Sequence, residues 1–320
     1  MLGVGVLAVV AIVVVALWDS TPELDKSSVY FVRDAVAVGD APQGLALGEG
    51  GVWVTNGGDA TVSLLDAESN EVVGEPIDVG LIPNGIAAGA GSVWVGFGEG
   101  GTAISRIDPD TRRVINDSIE VGRAPSSISV GEGGVWVAAI VGDVVVRLEP
   151  TTGAVEGRIG NKVLEFPSTV ATGLGSVWVT DVAKDELLQI DPVTFELQDR
   201  IDVGVSPAAV VVGDGSVWVA SFDKTLTRVN PAEGNATETI ALGDKVSGLA
   251  VGEGFVWATA SKKDWVLRID TTTGILHRRP IPVGDDPQGI VFGHGSLWVA
   301  NQGDDTITRI DLHPDESSPG

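Results

Sequence analysis

The chain has no cysteine, so it can build neither a disulfide framework nor a thiolate-bound metal centre. Histidine is scarce too, and three residues leave little for an imidazole-based metal site. Lys and Arg number 20 against 44 Asp and Glu, a formal charge of −24. A surface of that sign repels phosphate backbones, which argues against nucleic acid as a partner, while the acidity itself favours solubility. The chain has no Walker loop, no Gly-x-Ser-x-Gly elbow and no zinc-spaced His pair. Nothing in these patterns calls for a cofactor. Glycine is abundant at 43 residues but follows no Gly-X-Y period, which excludes collagen and points to many tight turns.

A long hydrophobic run is present at one place. Leu2 to Trp18 is uninterrupted apolar sequence. As a helix it would reach about 25 Å, the short end of what spans a bilayer. Two readings compete, a cleaved secretory signal and an uncleaved signal anchor. A signal needs a basic n-region and a small-x-small cleavage site. No Lys or Arg precedes Lys26, and Ala16-Leu17-Trp18 is a poor cleavage site. The expectation is therefore a transmembrane or signal-anchor helix at 1–18 and a polar tether at 19–28. The following domain would then lie outside the cytoplasm, in the periplasm or at the cell surface, or be secreted if the segment is cleaved. The missing basic flank also raises the expectation of sequence upstream of Met1.

Internal repetition dominates the remainder. Trp53, Trp94, Trp136, Trp178, Trp218, Trp257 and Trp298 recur at spacings of 41, 42, 42, 40, 39 and 41. Each sits in the frame Gly-x-Gly-x-(Val/Leu)-Trp, from GEGGVW to GHGSLW. One unit parses into four strands. Strand a is small and apolar, as in Gly44-Leu45-Ala46-Leu47. A Gly-x-Gly turn leads to strand b with its Trp. Strand c alternates, as in Thr306-Ile307-Thr308-Arg309-Ile310-Asp311. A Pro- or Gly-bearing turn then leads to strand d. Seven such units predict an all-β, seven-bladed propeller of four-stranded antiparallel blades over 29–312, with a tail at 313–320. The Trp residues are expected between stacked blades rather than in a ligand site. The last unit lacks a strand d, and an unmatched strand at Ser28 to Val38 precedes the first. Pairing the two closes the ring and removes an open sheet edge.

The frames VWVTNGGDATVSLLDAESNEVV from Val52 and LWVANQGDDTITRID from Leu297 resemble the YVTN β-propeller repeat proteins. A weaker similarity is to the streptogramin B lyase-like propellers, whose blades carry a related Gly-x-Leu-Trp strand. The resemblance covers 29–312. It implies seven blades, export, and in most members no established chemistry. Such propellers also serve as external sensor domains of larger receptors such as receptor kinases, and no kinase motif is present here.

In a propeller the d–a and b–c loops share one face around the channel mouth. The d–a loops carry a second motif, Pro42-Gln43-Gly44, Pro83-Asn84-Gly85 and their counterparts. The residue after each Pro should point near the channel: Gln43, Asn84, Ser126, Ser168, Ala208, Ser247 (after Val246) and Gln288. Amides and hydroxyls supply donors and acceptors suited to peptide or glycan ligands, or simply to channel water. The b–c loops add Asn56, Asn301, Gln302, Lys262, Lys263 and Trp265, the last either a recognition aromatic or a Trp packed at the start of strand c. Lyase chemistry of the streptogramin B type would need a His and an acid beside a divalent metal at the mouth. His294 falls in an a–b turn on the opposite face, His277 on an outer strand and His313 in the tail. Acidic loops such as Gly303-Asp304-Asp305 match no complete calcium ligand set. The expected function is a monomeric, non-catalytic binding, sensor or scaffold propeller for a peptide, protein or glycan. An exported lyase or hydrolase is the alternative.

Overall fold

The computed structural model describes residues 30–312, apart from 99, 161 and 162. Seven antiparallel sheets follow one another along this stretch. Blade 1 is strands Pro42–Gly48, Gly51–Asn56, Thr61–Leu65 and Ile77–Asp78, paired in that order from the channel outward. Blades 2 to 6 repeat the plan, with innermost strands Pro83–Gly89, Pro125–Gly131, Pro167–Gly173, Pro207–Gly213 and Gly248–Gly252. Blade 7 has Pro287–Gly293, Ser296–Asn301 and Thr306–Leu312.

The a–b turns form because two consecutive residues take positive φ, as at Asp214 (49°) and Gly215 (73°). That backbone twist matches the twist of the paired strands, which is why a two-residue loop suffices. The residue between the two glycines of each frame thus shares the left-handed conformation, at Ala90, Leu174 and His294 among others.

Strand b is the centre of each blade. Val52 and Val54 pack with Trp298 of blade 7, while Trp53, between them in sequence, packs with Val93 and Val95 of blade 2. Period-two alternation along one strand therefore joins two neighbours. The same relation recurs around the ring, and the seven frame Trp side chains are at most 1% exposed. Each buries about 200 Å², worth at most about 5 kcal/mol at about 25 cal/mol per Å². In five blades the residue directly across on strand c is an Arg whose guanidinium lies over the ring, as for Arg106 and Trp94 at 5.1 Å.

The spare N-terminal strand closes the ring as the outer strand of blade 7. It does so in two pieces, Tyr30–Val32 and Val36–Ala37, both paired with Thr306–Leu312. Val32 faces Ile310 and Val36 faces Ile307, so four steps on one strand oppose three on the other. The extra residue is a β-bulge at 33–35. Outer strands are also short in blades 1 and 6, at Ile77–Asp78 and Ile281–Pro282. Pro76 and Pro280 precede them, and a residue without an N–H cannot extend the ladder.

One part of the expected fold class is corrected. The propeller stands, but the N-terminal transmembrane helix does not belong to the fold as described. Among the described residues no helix is long and apolar enough to cross a membrane. The helical pieces at Ile140–Gly142, Pro231–Glu233 and Ser261–Lys263 are single 3-10 turns of three residues each. The expectations for 1–18, 19–28 and 313–320 fall outside the described residues.

Candidate functional site at the channel mouth

The innermost strands begin at a proline in six blades. Before several of these prolines the chain turns through a positive φ, at Ala41, Ala124, Phe166, Ser206 and Asp286. The N–H of four such residues is held by a carboxylate from the b–c loop of the preceding blade. Asp305 accepts from Ala41 at 2.9 Å, Asp143 from Phe166 at 3.0 Å, Asp185 from Ser206 at 2.8 Å and Asp264 from Asp286 at 3.1 Å. Apart from Asp305, these aspartates, each immediately before strand c, went unremarked in the sequence, where they form a visible column. They fix the turn that leads through the proline to the ring residue.

Ring spacing depends on the residue two after the proline. A Cβ on Gly44 would lie 2.4 Å from the Asn84 carbonyl oxygen, and one on Gly289 would lie 2.3 Å from that of Gln43. Gly85 and Gly248 meet Ser126 and Gln288 in the same way. Only glycine permits this approach. Blades 3, 4 and 5 carry Ser127, Thr169 and Ala209 instead. The arc of blades 6, 7, 1, 2 and 3 lines an open cavity of about 370 Å³. Gln43, Asn84, Ser126, Ser247 and Gln288 line it together with Ser127 and Gln302, over a floor of Leu45, Ile86 and Ile128. Five of the expected ring residues are thus brought together. Ser168 and Ala208, in blades 4 and 5, are not part of the lining.

The hydroxyls of the ring are engaged between blades. Ser126 Oγ donates to the Ser168 carbonyl at 3.2 Å, and Ser247 Oγ to that of Pro287 at 2.9 Å. The amides are half engaged. Asn84 Nδ2 donates to Gln43 Oε1 at 3.1 Å, and Gln288 Nε2 to Asp286 Oδ1 at 2.9 Å. Among the described residues, Gln43 Nε2, Asn84 Oδ1 and Gln288 Oε1 take no further partner. With the side-chain amide of Gln302, the lining therefore offers amide donors and acceptors and no titratable side chain.

The remaining expected site residues lie elsewhere. Asn56 and Asn301 are the last residues of their b strands and fully buried, outside the cavity lining. Asn56 Nδ2 donates to Thr61 and Ser63, and Asn301 Nδ2 to Thr306 and Thr308, inside blades 1 and 7. Their place is structural, because hydroxyls on strand c draw the amide inward. Trp265 opens strand c of blade 6, half-buried against the cluster shared by blades 5 and 6. Lys263 Nζ lies 5.8 Å from its ring centroid, and Lys262 is exposed in the adjoining turn. Neither Trp265 nor Lys262 lines the cavity.

Asp181 ends strand b of blade 4 and is fully buried. Burial pushes its carboxyl above the usual range, against backbone N–H groups of Glu165, Ala183 and Lys184 that pull it down. Its Oδ2 accepts from Glu165 N at 2.7 Å, and its Oδ1 has no partner. Among the described residues no group of three or more His, Cys, Asp or Glu is placed to hold a metal ion.

Residues 197–318 match a family model described as a repeat of unknown function, DUF6923. This is less than half of the chain. Sequence comparison with curated proteins finds no match. In structure, the chain is similar to a streptogramin B lyase, at 17% identity and a TM-score of 0.76, over 89% of this chain and 98% of that one. It is similar to a catalytically inactive histidine-to-alanine variant of virginiamycin B lyase from Staphylococcus aureus with quinupristin, at 17% identity and a TM-score of 0.76, over 89% of this chain and 100% of that one. It is also similar to hydrazine synthase of Kuenenia stuttgartiensis, at 14% identity and a TM-score of 0.76, over 88% and 99% of the two chains. At these identities the likeness is one of fold. The similarity to streptogramin B lyase-like propellers expected from the Trp strand is found at that level. None of these matches is to the YVTN repeat.

Proposed function

We propose that the chain is a non-catalytic binding propeller of YVTN-like repeats that holds a peptide, protein or glycan ligand at the channel mouth. The observation that carries this reading is the set of amide atoms left without protein partners around an open cavity, at Gln43, Asn84 and Gln288. Gln43 and Gln288 are half-buried and Asn84 is exposed, and amides that face a cavity without a protein partner suit a ligand with complementary donors and acceptors. The volume falls within the range of small-molecule and side-chain pockets. A location outside the cytoplasm rests on the apolar run at 2–18 alone.

The test is a glycan and peptide binding screen on the full chain, repeated with Gln43, Asn84 and Gln288 changed to Ala. The reading expects hits that weaken at least about tenfold in the triple variant, the loss of one to two net hydrogen bonds. Hits that survive all three changes would place the ligand elsewhere.

A lyase is the second reading, and the fold likeness to two lyase structures favours it. One of those proteins is inactive when a histidine is replaced by alanine. Here His294 sits in an a–b turn on the opposite face, and His277 packs against Phe255 at 5.4 Å on the outer side of blade 6. The cavity lining holds no acid or base for proton transfer. Incubation of the full chain with quinupristin and magnesium, followed by mass spectrometry, decides between the two. Binding expects unchanged quinupristin, whereas a ring-opened product establishes the lyase.

A further inference from the structure

The loops around the mouth are not equivalent. On blades 2 to 5 they expose six large apolar side chains. These are Leu81 (51%), Ile82 (62%), Val141 (42%), Phe166 (47%), Val205 (55%) and Phe222 (49%). All belong to d–a or b–c loops and so to one face. Phe166 holds a φ of 61°, a conformation unusual for a bulky residue, with its ring outward. Monomeric proteins rarely concentrate apolar side chains on one rim unless something covers them.

The other side of the same mouth is acidic. The loops at 38–41, 57–60, 283–286 and 302–305 carry Asp40, Asp59, Asp285, Asp286, Asp304 and Asp305, with no Lys or Arg and no exposed large apolar residue. They form one patch. Asp59 Oδ2 accepts from Asp40 N at 2.7 Å, Asp304 Oδ2 from Asp285 N at 2.6 Å, and Asp305 Oδ1 reaches across the blade boundary to Ala41 N. Directly beneath, Gly39 lies against both Asn56 and Asp59, and the fully buried Asn56 and Asn301 each keep an Oδ1 without a donor.

We infer that the mouth face docks a cationic amphipathic peptide segment, its basic residues over the loops of blades 7 and 1 and its apolar face over blades 2 to 5. This deepens the binding reading above and rests on it. Charge complementarity selects the occupant. A second copy of a chain of net charge −24 is repelled, and an anionic lipid surface meets the acidic arc unfavourably. A neutral glycan satisfies the central amides but leaves both arcs uncovered.

The test uses fluorescence anisotropy with the full chain and a labelled peptide of about 18 residues, Leu on one helical face and Lys on the other. A counterpart carries Glu in place of Lys. The Lys peptide is expected to bind at least about a hundredfold more tightly than the Glu peptide, and to weaken as salt shortens the Debye length below about 10 Å. Asp40→Asn with Asp285→Asn and Asp304→Asn, whose amide oxygen still accepts the Asp285 N–H, weakens it at least about tenfold. So does Ile82→Ser with Phe222→Ser. Glu68→Gln with Asp110→Asn and Glu233→Gln removes three charges from the opposite face and changes affinity less than about threefold. Equal losses from the two acid triples, or equal binding of the two peptides, overturns the inference. Dimerisation through the apolar arc, or flotation with zwitterionic vesicles that Ile82→Ser abolishes, overturns it as well. If the Lys peptide fails to bind while a neutral ligand binds in a Gln43-dependent way, this inference falls and the binding reading stands.

Discussion

Arg33 Nε donates to Asp311 Oδ2 at 2.6 Å, joining two residues 278 positions apart. The pair sits where the N-terminal strand meets the last strand of blade 7. Burial pulls the Asp311 carboxyl upward, but hydrogen bonds from Ser296, Arg309 and Arg33 outweigh it and hold the group below the usual range. Its folded pKa is depressed, so its stabilisation is present above the unfolded value and is lost as pH falls through the folded one.

Arg33→Ala is therefore expected to loosen the closure while leaving Arg309 on Asp311. Arg33 is partly exposed, so the cost is about 1 kcal/mol, or about 2–4 °C in Tm at pH 7. The difference from the parent should shrink at low pH, where Asp311 is protonated. Calorimetry at several pH values reads both effects.

The frame tryptophans separate into two groups. Trp178 Nε1 donates to Gly173 O and Trp257 Nε1 to Gly252 O, both at 3.0 Å, whereas Trp218 Nε1 and Trp298 Nε1 have no partner. Trp→Phe should cost about 1 kcal/mol more at 178 and 257 than at 218 and 298, because it removes a hydrogen bond only at the first pair. Urea denaturation of the four variants measures the difference.

Asp181 supplies the opposite pH behaviour. Its folded pKa is raised, so the folded state holds the proton more tightly and loses stability as pH rises from the unfolded pKa through the folded one. Asp181→Asn keeps the acceptor for Glu165 N and removes the buried charge. It should raise Tm at pH 7 by about 2–4 °C, on the order of 1 kcal/mol, and lose that advantage near pH 3.

The c–d turns act in the reverse sense. Hydroxyls of Thr151 and Thr152, with the Thr151 N–H, bring the Glu149 carboxyl down to about 2, and Asp66, Asp108, Asp191 and Asp270 are lowered by similar turn hydrogen bonds. Stability from these groups is present above their unfolded values and lost as pH falls through the folded ones. Tm should drop between about pH 4.5 and pH 2. Glu149→Gln should flatten the Glu149 share of that drop.

The blades were legible because strand b is buried on both faces, so every repeat had to keep Val/Leu-Trp in the same frame. Closure was legible from one spare and one missing strand. The ring was legible in part, since Pro-x-Gly locates the residue after each proline. Ser168 lies outside the pocket, on the side of the ring where Ser127, Thr169 and Ala209 stand in place of Gly44, Gly85, Gly248 and Gly289, a difference of neighbours rather than of the ring residue. Asn56 and Asn301 were misplaced for a similar reason. Loop position suggested exposure, whereas Thr61 and Thr306 on the facing strand turn those amides inward. Of the two arcs only the acidic loop Gly303-Asp304-Asp305 stood out in the sequence, because the other members are scattered through loops that only the closed ring brings onto one face.

The measurement that most directly tests the central claim fills the cavity. Asn84 is exposed at the mouth and lines the cavity, so Asn84→Trp adds bulk to the lining rather than to the blade core. Calorimetric titration of a ligand from the screen into this variant should show binding lost by at least about a hundredfold, with Tm within about 2 °C of the parent. Unchanged affinity in a folded Asn84→Trp protein would contradict the assignment of the channel mouth as the binding site.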